Sequence, residues 1–164
     1  MRVIISGPRG WKSLAAQSQK RALLVENWIE GNLLHLQEKG HSVVAATTLL
    51  LGMDTLFAEV CYKNNIPYDI FLACPKQHEF WDEEAKRTFE KLRSEASQET
   101  LISEDIYTEG CINEQAEAIT RWLLESPDDK RVMLLLKSGR LSKTQTERVA
   151  ALRQSATAIN VFNW

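Results

Sequence analysis

The sequence predicts a single α/β domain with a doubly wound, mostly parallel sheet that carries helices on both faces. Short strand-like runs alternate with longer helical stretches about six times along the chain. The run 70–74 is apolar without interruption, which is typical of a strand buried on both faces of a parallel sheet. The 164 residues contain no linker, internal repeat or low-complexity segment, so we expect one domain over 1–164.

The individual elements follow from periodicity and from turn residues at their ends. Strands are indicated by β-branched or apolar runs that turn residues terminate. The first helix is indicated by a stripe of apolar residues at spacings of three and four, which ends before Gly40. The stripe consists of Ala22, Val25, Ile29, Leu33 and Leu36. The predicted strands are 2–6, 42–46, 68–74, 100–103, 131–136 and 158–162, and the predicted helices are 18–39, 52–64, 81–92, 112–124 and 144–155.

The loop after the first predicted strand is one candidate for a ligand contact. It reads Ser6-Gly7-Pro8-Arg9-Gly10, a dense cluster of turn residues. The glycines would let the backbone approach a ligand closely, and Arg9 would supply a bidentate phosphate contact. In α/β sheets, ligands bind at the carboxyl ends of the strands, where this loop begins. The alternative is a plain strand-to-helix turn with a solvated arginine.

A second candidate is the glycine-led helix start that follows the second predicted strand. Gly52, Met53 and Asp54 open this helix, whose first amides lack intrahelical partners and form its partly positive end. Gly52 and Met53 would offer amides to a phosphate. A carboxylate beside a phosphate is unfavourable, so Asp54 is expected to cap the helix or to reach a ribose hydroxyl. Taken alone, the motif also fits a simple turn and cap. The apolar run 49–51 would pack inward or line a pocket.

Composition and charge argue against several classes of protein. The net charge of −2 and the pI near 6.0 disfavour a protein whose main role is to hold nucleic acid, which usually presents a basic face. No apolar run approaches the roughly 20 residues that cross a bilayer, and the N-terminus resembles no secretory signal. The three cysteines are scattered and form no Cys-x-x-Cys, which predicts reduced thiols in a cytoplasmic protein and no zinc site.

With this order of elements, the chain resembles the SLOG superfamily, a group of Rossmann-like domains that includes the LOG phosphoribohydrolases and DprA. The likeness is greatest to the YpsA-like type and covers almost the whole length. The resemblance implies a Rossmann-like fold and a nucleotide-related ligand, with Gln77 and Trp81 on the base side of the pocket, and it adds Asn113 to the candidate ligand contacts. Trp81 also fits a core position. The motifs that carry the resemblance are 6–10, Gly52-Met53-Asp54 followed by Ala58-Glu59, Gln77 with Trp81, and Tyr107 with Asn113-Glu114.

The departures from the family bear on catalysis. LOG enzymes hold phosphate and supply a catalytic glutamate with Pro-Gly-Gly-x-Gly-Thr-x-x-Glu, and only Thr144-x-x-Glu147 matches the end of that pattern. Without the glycines, the backbone wraps a phosphate less easily. The family's arginine before Asn113 is Ile112 here. The pattern therefore keeps Thr144 as a candidate ligand contact and weakens the expectation of phosphoribohydrolase activity.

Three functions are compatible with these patterns. The first, which we favour, is a ligand-binding or sensor domain that binds a nucleotide or a nucleotide-derived molecule at the carboxyl edge of the sheet; such a nucleotide is the one cofactor that the patterns suggest. The second is an enzyme that cleaves an N-glycosidic bond of a nucleotide, with Glu147 or Glu59 as the carboxylate that stabilises an oxocarbenium-like centre. The third is a non-catalytic scaffold or a homodimer, in which the segments 49–51 and 162–164 supply the contact surface.

Overall fold

The computed structural model describes residues 1–8, 18–104, 108–141, 143–155 and 157–164. These residues form one six-stranded sheet in which every neighbouring pair of strands is parallel, so the predicted α/β class and parallel sheet are confirmed. The strands are β1 (Arg2–Ser6), β2 (Val44–Thr47), β3 (Tyr68–Leu72), β4 (Gln98–Leu101), β5 (Arg131–Lys137) and β6 (Ala158–Asn163). The helices are α1 (Gln19–Glu38), α2 (Met53–Lys63), α3 (Glu83–Ser94), α4 (Glu109–Leu124) and α5 (Lys143–Gln154), with a 3-10 turn at Asp128–Lys130.

The strand order is β4-β3-β2-β1-β5-β6. From β1 the chain winds outward through β2 and β3 to β4, and it then returns to the opposite side of β1 for β5 and β6. The direction of winding therefore reverses between β1 and β5. At such a switch point, doubly wound sheets leave a crevice outside the carboxyl ends of their strands. The register runs from Arg2 opposite Arg131 to Ser6 opposite Leu135, so the two central strands lie side by side up to this edge.

Helices cover both faces of the sheet, as predicted. One core contains residues of α1, α2 and α3 and includes Val3 and Ile5 of β1. The other contains residues of α4 and α5 and includes Ile4, the residue between them. Because successive strand residues point to opposite faces, the apolar central strands supply both cores. The helix residues of the first core include Val25, Ile29, Phe57 and Phe89, and those of the second core include Ile119, Leu123, Val149 and Leu152.

Helix α1 shows how local sequence sets the ends of an element. Ser18 caps the helix, since its side-chain oxygen accepts a hydrogen bond from the Arg21 amide at 3.3 Å. Beyond the last turn, Gly40 adopts a φ of +80°, a left-handed conformation that glycine tolerates best. The predicted helix 18–39 is thereby confirmed to within one residue at each end. Among the helices of the described residues, none is both long and apolar enough to cross a membrane.

Five elements, β2, β3, β4, α3 and α4, differ from their predicted bounds by two residues or more at one end at least. Strand β4 and helix α4 show why. The fourth strand lies at 98–101 instead of 100–103, and all its residues are exposed. It is an edge strand that pairs only with β3 among the described strands, so no buried face marks its position in the sequence. Helix α4 begins at 109 instead of 112, because the Thr108 hydroxyl caps it by accepting a hydrogen bond from the Cys111 amide at 3.3 Å.

Candidate functional site

A cavity of about 490 Å³ lies at the carboxyl edge of the sheet, beside the switch point between β1 and β5. We call it the switch-point cavity. Its volume and its mixture of a largely apolar wall with a few polar groups are typical of small-molecule sites. The apolar lining comes from Ile5, Leu50, Ile112, Ala116 and Ile119, and the polar lining comes from Ser6, Thr48, Asp54, Gln115, Gln145 and Arg148.

Arg148 of α5 places a buried positive charge at this cavity. Its Nε and Nη2 atoms are buried and have no hydrogen-bond partner among the described residues. Burial lowers the pKa of the guanidinium, and the charge of Asp54 offsets only part of that effect. A buried charge without a partner is costly, so an anion bound beside these nitrogens would stabilise the protein.

Asp54 lies in the first turn of α2 and also lines the cavity. Its Oδ1 atom accepts a hydrogen bond from the Thr48 amide at 3.4 Å, and its carbonyl oxygen accepts one from the Thr47 hydroxyl at 2.9 Å. Burial raises the pKa of Asp54, while the bonds from Thr48 and the charge of Arg148 oppose that rise. The cavity thus combines a cation with a carboxyl group that keeps its proton to a higher pH than usual.

Glycine at two positions lets the start of α2 approach β1. Gly52 precedes the helix with a φ of +121°, which a residue with a side chain rarely adopts. A Cβ atom at Gly7 would overlap the side chain of Met53, which is 2% exposed and packs in the first core. Gly7 lines the cavity, whereas Gly52 and Met53 lie outside its described lining and position the helix beside it.

Gln77 and Trp81, predicted on the base side of a pocket, lie outside the described lining of the switch-point cavity. The buried Gln77 side chain accepts a hydrogen bond from the Ala73 amide at 2.9 Å and donates one to the Thr48 carbonyl at 2.9 Å. It therefore braces the loops that follow β2 and β3. Trp81 is half-buried beside the first core and packs edge-on against Phe89, with ring centroids 5.5 Å apart. These contacts are the ones that a core position predicts.

The remaining predicted ligand contacts differ in where they lie. Ser6 is buried at the end of β1 and lines the cavity. Asn113 is exposed on α4, outside the described lining. Thr144 lies in the first turn of α5, and its side chain is outside the described part of the chain. Arg9 and Gly10 also fall outside the described residues.

The two carboxylates predicted for catalysis, Glu147 and Glu59, are not among the described lining residues of the cavity. Glu147 is exposed on α5, where its carboxylate lies 3.9 Å from the Nζ atom of Lys143. Glu59 is exposed on α2 and faces a groove between α2 and α3. The carboxyl group that the structure places in the cavity is therefore Asp54.

Four polar residues of the lining are not among the contacts predicted from the sequence: Thr48, Gln115, Gln145 and Arg148. Gln115 follows Ile112 by three positions and precedes Ile119 by four, so it interrupts the apolar stripe of α4. Arg148 precedes the buried Leu152 by four positions and interrupts the inward face of α5 in the same way. A polar residue within an apolar stripe is the signal that would have found Gln115 and Arg148, because burying a polar group without a partner is costly.

No protein-family model matches the chain, and no curated protein is significantly similar to it. The resemblance to the SLOG superfamily therefore stays a prediction. The described residues contain no group of three or more His, Cys, Asp or Glu side chains that could hold a metal ion. Cys61, Cys74 and Cys111 are buried and form no disulfide among the described residues. The polar groups of the switch-point cavity are thus the strongest indication of function.

Proposed function

We propose that this protein binds a nucleotide or a nucleotide-derived ligand in the switch-point cavity and acts as a ligand-binding or sensor domain. The observation that carries the proposal is the pair of unpartnered nitrogens on the buried guanidinium of Arg148, at the wall of the cavity. Nε and Nη2 share one edge of the planar guanidinium, so their N–H groups point the same way and match two oxygens of a phosphate. A phosphate at this edge would accept hydrogen bonds from two buried nitrogens that have no partner among the described residues.

The rest of the cavity suits the other parts of a nucleotide. The apolar wall of Ile112, Ala116 and Ile119 offers a surface for the flat face of a base. Ser6 and Asp54 offer polar groups to the hydroxyls of a ribose.

The other two functions have less support. Cleavage of an N-glycosidic bond with Glu147 or Glu59 as the stabilising carboxylate is less supported, because both residues are exposed and outside the described lining. A scaffold or homodimer that uses 49–51 as its surface is also less supported, because Leu49 is buried and Leu50 lines the cavity. The net charge of −2 likewise disfavours nucleic acid as the partner.

Two further assignments belong with this proposal. The scattered cysteines, which form no disulfide among the described residues, favour a reducing compartment, and we propose the cytoplasm. The order of the motifs along the chain, and the position of Asp54 beside Ser6 and Gly7 at one edge of the sheet, support membership of the SLOG superfamily.

A thermal-shift assay with purified protein tests the proposal. The ligands are AMP, IMP, CMP, UMP, NAD and ADP-ribose at millimolar concentration, and the proteins are wild type, Arg148→Met and Arg153→Met. Arg153 is the matched control, because it is an exposed arginine in the last turn of the same helix. A ligand at a hundredfold excess over its Kd stabilises a protein by about 2.7 kcal/mol, which raises the melting temperature by roughly 5–10 °C at this chain length.

We expect at least one nucleotide to raise the melting temperature of the wild type and of Arg153→Met, and to leave that of Arg148→Met unchanged. Failure of every ligand to stabilise the wild type would contradict the proposal. So would an equal shift in Arg148→Met and Arg153→Met, because the ligand would then bind without the guanidinium.

A further inference from the structure

Gln115 is the second buried polar side chain of the cavity with an unsatisfied atom. It projects from α4, is 1% exposed and forms part of the cavity lining. Its Oε1 atom is buried and has no hydrogen-bond partner among the described residues. The cavity therefore holds an unpartnered acceptor on α4 as well as the unpartnered donors of Arg148 on α5.

The other end of the same amide is fully occupied. The Nε2 atom donates to the carbonyl oxygen of Phe71, and it lies 3.3 Å from the Oε1 atom of Gln77 and 3.5 Å from the carbonyl oxygen of Thr48. A rotation of the amide by half a turn would place Oε1 against these three oxygens and would lose every one of these bonds. The orientation of the Gln115 amide is thereby fixed.

Gln77 is fixed in turn by the backbone. Its Oε1 atom accepts from the Ala73 amide at 2.9 Å, and its Nε2 atom donates to the Thr48 carbonyl at 2.9 Å. Gln77 cannot exchange its oxygen and nitrogen without losing both bonds. A glutamine often offers a ligand a donor and an acceptor together, but Gln115 has only the acceptor left for the cavity.

We propose that Gln115 makes the switch-point cavity select bases that carry an exocyclic amino group, such as adenine or cytosine, over the matching bases that carry a carbonyl oxygen at that position. The inference rests on the proposed function and specifies its ligand class. An amino group donates an N–H to Oε1 of Gln115. A carbonyl oxygen at the same place faces Oε1 directly, so the ligand oxygen loses its water and gains no partner, and Oε1 stays unpaired.

The expected difference in affinity between the two kinds of base follows from this difference in hydrogen bonding. A site built to pair a polar group rejects the analogue that leaves the group unpaired, whereas a merely apolar pocket discriminates weakly. An unpaired buried acceptor corresponds to a loss of affinity of roughly tenfold to a hundredfold. Two nucleotides that differ only in this group of the base share their phosphate and ribose. A difference in affinity between them therefore comes from the base.

Isothermal titration calorimetry with AMP against IMP, and with CMP against UMP, tests the inference in the wild-type protein. We expect the amino member of at least one pair to bind about tenfold or more tightly than its partner. In Gln115→Met, which keeps the length of the side chain and removes the acceptor, the two members should bind within about twofold of each other. Gln154→Met, a substitution of an exposed glutamine on α5, is the control and should keep the preference.

The possible results of the titrations distinguish failure of this inference from failure of the proposed function. Equal affinity within both wild-type pairs, or a preference for the carbonyl members, overturns this inference and leaves the proposed function standing. Failure of all four nucleotides to bind overturns this inference. It overturns the proposed function as well when NAD and ADP-ribose also fail to stabilise the protein. The wild-type comparison is decisive even where Gln115→Met fails to fold.

Discussion

Two buried arginines lie at opposite edges of the same sheet and differ in one respect. Arg131 begins β5 at the amino edge, and all its nitrogens donate to neighbours. Arg148 lies at the carboxyl edge, where Nε and Nη2 have no partner among the described residues. The partners of Arg131 are the carbonyl oxygens of Ser126 at 2.6 Å, Ser155 at 3.0 Å and Leu124 at 2.7 Å, and the carboxylate of Asp128 at 2.7 Å.

The difference separates a structural charge, Arg131, from the charge that we propose binds a ligand, Arg148. Arg131 satisfies backbone carbonyls where α4 and α5 end, so it ties two helices to the amino edge. At the other edge, Arg148 lines the cavity, and its Nε and Nη2 atoms have no hydrogen-bond partner among the described residues. In doubly wound sheets it is the carboxyl edge that binds ligands, and here the distribution of hydrogen bonds points to the same edge.

The largest effect on stability is expected at the amino edge, where Arg131 lies. Arg131→Ala removes the donors of three carbonyl groups and should lower the free energy of unfolding by about 3 kcal/mol. Urea denaturation at pH 7 measures this loss. Arg121→Ala, which truncates an exposed arginine of α4, is the control and should stay within about 0.5 kcal/mol of the wild type. A loss below 1 kcal/mol in Arg131→Ala would mean that its hydrogen bonds contribute little.

A smaller effect on stability, of opposite sign, is expected at the carboxyl edge, where Arg148 lies. Arg148→Met replaces a buried, unpartnered charge with an apolar chain of similar length, so the ligand-free protein should gain about 1 kcal/mol of stability. The same urea experiment, with nucleotide removed beforehand, provides the measurement. A loss as large as that of Arg131→Ala would erase the contrast between the two edges, because Arg148 would then be bonded as a structural residue is.

The smallest effect is expected from Asp54, as a dependence on pH. Burial raises its pKa above the ordinary value of 3.8, so the folded protein binds this proton more tightly than the unfolded chain does. The resulting stabilisation is complete below the pKa of the unfolded chain and is lost as the pH rises through the pKa of the folded protein. Asp54→Asn has no carboxyl group at this position and does not undergo that loss of stability. Its free energy of unfolding, minus that of the wild type, should therefore rise with pH.

Urea denaturation of both proteins from pH 4 to pH 8 tests this dependence. Asp129→Asn, which alters an exposed carboxylate near the amino edge, controls for the general effect of one charge. A constant difference between Asp54→Asn and the wild type over this range would show that the buried carboxyl group does not shift its pKa. The charged side chains at the two edges of the sheet would then differ less in their environment than we expect.

The sequence predicts the elements well where a local signal marks them. Helix α1 is one example, because Ser18 and Gly40 mark its ends and one face of it is buried. Strand β4 was placed two residues too late, because an exposed edge strand has no apolar pattern to mark it. The position of Asp54 at the cavity followed from the glycine before it and from the strand before that.

The cavity itself was only partly predictable, because distant segments complete it. Gln77 was chosen as a ligand contact, but its amide is held by the backbone of Ala73 and Thr48, two segments whose convergence no local pattern reveals. Arg148 was passed over in favour of Glu147, the residue that matched a motif. The helix presents Arg148 to the cavity and leaves Glu147 exposed, and this choice of face depends on packing against the sheet.

The chain of amides from Ala73 through Gln77 to Gln115 has a consequence for how recognition would proceed. Its hydrogen bonds form during folding, so the acceptor already has its final orientation when a ligand arrives. Little conformational entropy is then lost on binding. Such a site would discriminate because it does not rearrange. A base with a carbonyl oxygen would face the fixed Oε1 atom of Gln115, and the amide could not rotate to present Nε2 instead.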